Sequence, residues 1–524
     1  MVNLKDTLKN GYKKLAGDTA VKVHVNLGKK IGNLQITNDL AQTTKVLSEV
    51  RKLESFLKSV NYLIEKSKDK STYSRLKRKI DLESLLEDNR DLVYELSAKK
   101  EESVFDSIMF SLHRRTQMLN NFRAYNTLKR NTFVSDDAYF VMPSYHDYTN
   151  RQWYWDSCFH AIVLAKKNPK LAMSEIMLLL KNQSKSGFIP HMNYFDKKGQ
   201  EVPSWFKDYL KTFWSHKTHS DITQPPLLAM TVARIHEATK DKRFLNELMP
   251  RMISHYSWFH RFRSDENRLI SIIHPWESGW DNSQRWDKLL GIKKGEREEI
   301  NKGKMFLFKE CQKMKWDNEK ILKSNLFAVQ PVDFNCLYSY NLRVLSRLCM
   351  IKKDFDNMEV FLKRAMEVEF AIEKVMKQDD YYVDYLKSKE RKSKIKSAAM
   401  FFVLMTDIDF DADSLMKNHL LNDKEFGTRY PVPSVSIDTP LMNPEEYWRG
   451  NVWININWFI VQGLVKRGYK TEARKLINRT LSLVRKSGFR EYYNPFNGKG
   501  LGAVSFGWST LSLDLYESYK KIIA

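Results

Sequence analysis

Apolar residues recur at spacings of three and four along most of the chain. That period marks helices with one buried face. Between residues 40 and 100 it is carried by Leu47, Val50, Leu53, Phe56 and Leu57, after a weakly patterned start that includes a short β-like piece at 21–25 (VKVHV). From about 104 onward the pattern reads as helix after helix: 104–123, 158–166, 171–184, 226–239, 243–262, 333–350, 355–376, 452–467, 471–486 and 508–523. Many of these open on a polar residue or a proline, the usual start signals. The expected chain is therefore all-α. An N-terminal, helical accessory segment covers 1–100, and paired helices over 101–524 close into one body. There is no strict repeat of roughly 20–50 residues, which argues against a solenoid. Periodicity alone does not choose an (α/α) barrel over another large helical fold.

Composition narrows the function classes. The 524 residues are 42% hydrophobic and 29% charged, a globular balance, with Gly (19) and Pro (14) too scarce for an all-β protein of many tight turns. The four cysteines, Cys158, Cys311, Cys336 and Cys349, have no CxxC spacing. Neither a disulfide framework nor a zinc ribbon is indicated, and a reducing compartment fits. No apolar run approaches the ~20 residues of a membrane span. The first residues (MVNLKD) lack the apolar stretch of a secretory signal, so the chain reads as cytoplasmic. The 87 Lys/Arg and 63 Asp/Glu leave a formal charge of +24, spread along the chain. Its densest basic run, 75–79 (RLKRK), lies in a segment without tryptophan. A nucleic-acid stripe interleaved with aromatics is thus missing, and a solvated lysine-rich face explains the run. Diffuse positive charge still favours a small anionic partner.

The long connections hold the chemistry. Nine of the 13 tryptophans fall in 153–155, 276–286, 448–458 and at 508, and Trp205 and Trp214 share a fifth loop. In or near the same segments lie Asp156, Glu277, Asp281, Asp287, Glu445, Glu446 and Glu491. A buried carboxylate needs partners, so loops both aromatic and acidic are poor packing material. They suit a sugar, whose C–H face stacks on indole while its hydroxyls bond to carboxylate and amide groups. Tryptophans plugging the ends of a helical barrel are the bland alternative. Glycosidic cleavage needs two carboxyl groups, one a general acid and the other a nucleophile or a base. Asp156, Asp281 and Glu491 are flanked by aromatics, and local sequence does not rank them. Asp281 also reads as an N-cap for a helix at 286–290, and Glu491 as a surface residue before the turn at 494–498. The pair His216 and His219 has a spacing a metal could use but no evident third ligand. No phosphate-cradling or serine-hydrolase motif is present. No metal and no cofactor is expected.

These loops form an ordered series. Residues 153–160 (WYWDSCFH), 187–192 (GFIPHM), 220–226 (SDITQPP), 276–287 (WESGWDNSQRWD), 430–436 (YPVPSVS), 447–458 (YWRGNVWININW), and 491–495 (EYYNP) with 506–509 (FGWS) resemble the signatures of glycoside hydrolase family 63 and its mannosylglycerate and glucosylglycerate hydrolase relatives. Seven motifs in the right order, over about 105–524, make the resemblance specific. It implies an (α/α)6 barrel and an inverting mechanism acting on a small α-glucoside or α-mannoside. An oligosaccharide-trimming α-glucosidase, a trehalase-like enzyme and a non-catalytic sugar-binding protein are the alternatives. By position, Asp281 would be the general acid and Glu491 the general base. Trp155 and Asp156 would hold the sugar, Gln224 and Tyr447 would lie toward the leaving group, and Trp276, Gly279, Trp448, Arg449 and Trp453 would shape the pocket. Residues 288–330, rich in lysine, fall where relatives carry a mobile lid. Gln284 stands where the family commonly has proline.

Overall fold

The computed structural model describes residues 123–135, 138–195, 214–216 and 218–523. The chain divides between Arg123 and Ala124, and the second unit, Ala124–Ala524, carries everything described below. The expected accessory segment over 1–100, its boundary at 101 and nearly all of the predicted helix 104–123 lie outside the described residues.

Among the described residues, ten long helices organise this unit. They are α1 (Tyr154–Leu164), α2 (Pro169–Leu179), α3 (Leu228–Thr239), α4 (Lys242–Phe262), α5 (Arg297–Lys313), α6 (Val332–Lys352), α7 (Phe355–Ala371), α8 (Ile454–Lys466), α9 (Lys470–Ser487) and α10 (Ser512–Ile523). Local sequence sets several of the boundaries. Helix α2 starts earlier than periodicity suggests because Pro169 suits the first turn and the Asn168 side chain accepts the Leu171 N–H. The Asp241 and Asp354 side chains cap α4 and α7 in the same way. Helix α7 ends at Ala371, and the rest of the predicted segment continues as a π turn, Ile372–Met376.

Burial sorts the elements into two layers. All eleven residues of α1 are buried, as are all eight of the 3-10 segment Ala398–Met405. A helix apolar on every face belongs inside other helices, whereas one with a single apolar stripe belongs outside. Neighbour relations then close a ring. Helix α1 packs on α3, α3 on α6, α6 on Ala398–Met405, that segment on α8, α8 on the 3-10 turn Gly507–Leu511, and that turn back on α1. Outside the ring, α2 backs α1, α4 backs α3, α7 backs α6, α9 backs α8, and α10 backs Gly507–Leu511. The architecture is the (α/α)6 barrel.

Short ladders trim the loops at one end of this ring, an addition to the all-helical reading. Strand β1 (Thr132–Ser135) pairs with β2 (Ala138–Val141), β3 (Arg151–Trp153) with β4 (Met192–Tyr194), and β5 (Arg490–Tyr493) with β6 (Gly500–Val504), all antiparallel. Strand β3 runs straight into α1. The connections holding Gln224, Asp281, Tyr447 and Glu491 likewise lead into N-termini of ring elements. Residues 288–330 contain α5 and a shorter helix, Asn318–Lys323. The inner side of α5 is buried at Ile300, Lys304, Leu307, Phe308 and Cys311.

Candidate active site

The aromatic, acidic loops converge on one cavity of about 150 Å³. Asp156, Asp281 and Glu491 all line it. So do Trp155, Gln224, Trp276, Gly279 and Tyr447. Sequence reasoning did not single out Tyr148, Arg151, Trp153 and His191, which complete the wall with Trp214 and Trp508. Tyr148 belongs to the aromatic run before α1, and His191 to the GFIPHM motif, so their neighbourhoods were visible although their roles were not.

Glu491 sits on β5 and is buried, which removes the surface-residue alternative. Two phenols converge on one of its oxygens: Tyr148 donates to Oε1 at 2.8 Å and Tyr447 at 3.1 Å. The Ala503 backbone N–H donates to Oε2 at 2.9 Å. Burial raises the Glu491 proton affinity above the ordinary glutamate value, and these three donors oppose it by stabilising the ionised form. The close approach of β6 depends on Gly502. At φ +65 its missing Cβ would stand 2.5 Å from Glu491 Oε2.

Asp281 has a different setting. It is not a helix cap, because Ser283 caps the turn Gln284–Trp286 and Asp287–Leu290 has no side-chain cap. Its carboxyl faces the cavity without a hydroxyl or amide side chain bonded to it among the described residues. Burial pushes its pKa up to about 7, Lys304 pulls against that rise, and the charge of Glu491 adds to it. An Asp in this state carries its proton near neutrality.

Asp156 lies in the first turn of α1. Burial pushes its carboxyl well up, with Glu491 as the next cause. Its Oδ1 is buried at the cavity wall without a hydrogen-bond partner among the described residues. An unpaired buried acceptor there is an open seat for a ligand hydroxyl. The Trp155 N–H is tied to Gln224 Oε1 at 3.1 Å. Gly279, in the left-handed region at φ +77, lets the Trp155 ring close in, since a Cβ would meet it at 2.5 Å. The Nδ1 of His191 pairs with Ser220 Oγ at 2.5 Å, and burial lowers its pKa to about 3, leaving a neutral ring on the wall.

Trp448 and Trp453 stand behind the wall. They stack face to face at 3.6 Å and 3°, with Trp280 stacked on Trp448 at 4.8 Å and Tyr492 on Trp453 at 4.8 Å. This column of four rings runs from the neighbour of Asp281 to the neighbour of Glu491. Arg449 is also set back. Its guanidinium binds both Asp287 oxygens at 2.9 and 2.7 Å and the Asn282 carbonyl at 3.1 Å. Glu277 is similarly committed, to Arg263 and to the Thr223 and Ile273 N–H groups. Glu446 is held by Arg297. Of the loop carboxylates proposed from sequence, Asp156, Asp281 and Glu491 are the ones that line this cavity. His216 and His219 stack at 4.2 Å, and no group of three or more His, Cys, Asp or Glu suited to a metal occurs among the described residues.

The arrangement matches known proteins. Residues 148–509 match the family model described as the mannosylglycerate hydrolase MGH1-like glycoside hydrolase domain. A mannosylglycerate hydrolase of Thermus thermophilus is 27% identical over 420 residues, covering 74% of this chain and 98% of its own. A glucosylglycerate hydrolase of Mycolicibacterium hassiacum is 26% identical over 412 residues, covering 69% and 90%. The crystal structure of a GH63 mannosylglycerate hydrolase from Thermus thermophilus with Tris and D-glycerate is 28% identical and superposes with a TM-score of 0.68, covering 76% of this chain and 100% of that one. The family match covers well over half the sequence and contains all three cavity carboxylates, so the chain belongs to the mannosylglycerate hydrolase MGH1-like family and is a glycoside hydrolase.

Proposed function

We propose that this enzyme hydrolyses a small α-glucoside or α-mannoside with an anionic aglycone, glucosylglycerate or mannosylglycerate, with inversion. One observation carries the reading: a cavity with room for about one six-membered ring is faced by an Asp with its pKa raised to about 7 and by a Glu on which two phenols converge to oppose the rise that burial causes. Acid–base cleavage needs two carboxyls in unlike environments. Asp281 gives its proton to the glycosidic oxygen as the bond from that oxygen to C1 breaks. Glu491 takes a proton from the water whose oxygen bonds to C1 on the opposite face. The products are the free sugar of opposite anomeric configuration and the aglycone with its hydroxyl restored. Asp156, through its open Oδ1, and Trp155 hold the ring. Trp276 and Gly279 shape its seat, and Gln224 and Tyr447 lie toward the leaving group. Trp448, Trp453 and Arg449 support the wall from behind. Four buried free cysteines fit a cytoplasmic setting.

A panel of glucosylglycerate, mannosylglycerate, trehalose, kojibiose and maltooligosaccharides, read by released sugar, tests this. The highest kcat/KM on a glycerate glycoside is expected. A preference for the oligosaccharides or trehalose overturns the substrate class, and binding without turnover overturns the reaction.

A further inference from the structure

Lys304 is a residue the proposed reaction leaves unused. It is buried on the inner side of α5. A buried ammonium is costly unless paired and hydrogen-bonded. Yet Lys304 forms no ion pair among the described residues, and its Nζ has one bonded side-chain partner, Asn282 Oδ1 at 2.5 Å. Asn282 directly follows Asp281 and is gripped from its other end, where Arg449 donates to its carbonyl at 3.1 Å. The indole of Trp276, part of the cavity wall, lies 5.9 Å from Nζ. The Lys304 backbone is fixed too. His274 Nδ1 accepts the Trp276 N–H, so Nε2 carries the proton and donates to the Lys304 carbonyl at 3.3 Å.

The charged surroundings are specific. Burial lowers the Lys304 proton affinity, and Asp281 is the foremost charge holding it up. Reciprocally, Lys304 is the foremost charge holding Asp281 down. Other groups on these two are Glu446 with its partner Arg297 around Lys304, and Glu491 beside Asp281. Asp156, on α1, also feels Asp281, as do Tyr148 and Tyr447. His274 is neutral, its pKa lowered by burial to about 3, and Asp287 is neutralised by Arg449.

We propose that Lys304 is a positioning residue for the acid step: held on α5 beside the wall residue Trp276 and anchored by Asn282, its ammonium stabilises the carboxylate that Asp281 becomes as it releases its proton. This rests on Asp281 being the acid. Charge placed in advance where charge develops is worth most in a dry site. The residue also gives residues 288–330 a chemical task, because α5, whose Phe308 packs on the wall residues Trp214 and Trp276, carries the cation.

The test is the pH dependence of kcat/KM and kcat on glucosylglycerate and mannosylglycerate for the wild type, Lys304→Met and Lys304→Gln, with thermal unfolding followed in parallel. Removing a positive charge beside Asp281 makes it hold its proton to higher pH. The alkaline limb is therefore expected to move up by about half a unit or more in both variants, with kcat down about tenfold and KM within about threefold. Lys304→Gln carries the test if Lys304→Met does not fold. In the double variant with Asp281→Asn, the Lys304 loss is expected to vanish, since there is no proton left to give. An unmoved limb in folded variants, multiplying losses in the double variant, or an effect confined to KM would each overturn the proposal. A wild type lacking an alkaline limb, or keeping it in Asp281→Asn, overturns the acid assignment itself, which is a separate failure.

Discussion

Asp281 and Glu491 share one cavity but not one environment. Glu491 lies on a strand whose neighbours supply three hydrogen-bond donors, two phenols and a backbone N–H. Among the described residues, Asp281 meets no side-chain donor, and the foremost cation acting on it is Lys304, held by the adjacent Asn282. Both are raised by burial, but donors oppose the rise at Glu491 far more directly. Two carboxyls of nearly identical chemistry thereby meet different surroundings: burial dominates at Asp281, whose pKa rises to about 7, while at Glu491 three donors work against burial. The difference between them lies in what each oxygen touches, not in which residue type supplies it.

The comparison breaks most visibly when either carboxyl is neutralised. Asp281→Asn and Glu491→Gln are each expected to lower kcat by about 10²–10⁴, measured by sugar release under saturating substrate. Gly502→Ala comes next. A Cβ at 2.5 Å from Glu491 Oε2, on a backbone at φ +65, must displace the base, and a loss on the order of tenfold or more in kcat is expected. Tyr148→Phe removes one of the donors that oppose the burial-driven rise at Glu491 and so raises its proton affinity further. The acidic limb of the pH–rate profile is expected to move to higher pH, with roughly tenfold lower activity below it. An acidic limb that stays in place would falsify the donor argument.

The smallest effect concerns stability. Asp281, with its pKa raised to about 7, holds its proton more tightly folded than unfolded. Its favourable contribution is complete below the ordinary Asp range and is lost as pH rises from about 4 through 7. Asp281→Asn does not titrate. Relative to the wild type it should gain about 1–2 kcal/mol between pH 5 and pH 8, after allowance for screening by water in the cavity. Chemical denaturation at both pH values measures this.

The outer and inner helices were unequally legible in the sequence. Outer helices such as α4 and α9 carry a polar face, so their apolar stripes stand out at period 3.6. The ring segment Ala398–Met405 was not anticipated, because eight consecutive buried residues (AAMFFVLM) leave no periodic contrast. The site divides the same way. Asp281 and Glu491 were legible because their flanking aromatics and motif order are local. Tyr148, 343 residues from Glu491 along the chain, and the Ala503 N–H were not, since a backbone donor leaves no signature and the phenol meets its partner only in the folded barrel. Lys304 was hidden among many surface lysines, and only burial separates it from them.

The most direct measurement of the central claim is proton NMR of the sugar first released by the wild-type enzyme, recorded before mutarotation. If Glu491 activates water opposite the bond that Asp281 protonates, an α-glycoside yields the β-anomer first. Initial appearance of the α-anomer would mean that a carboxylate attacks the sugar itself, and would contradict the assignment of Glu491 as the base.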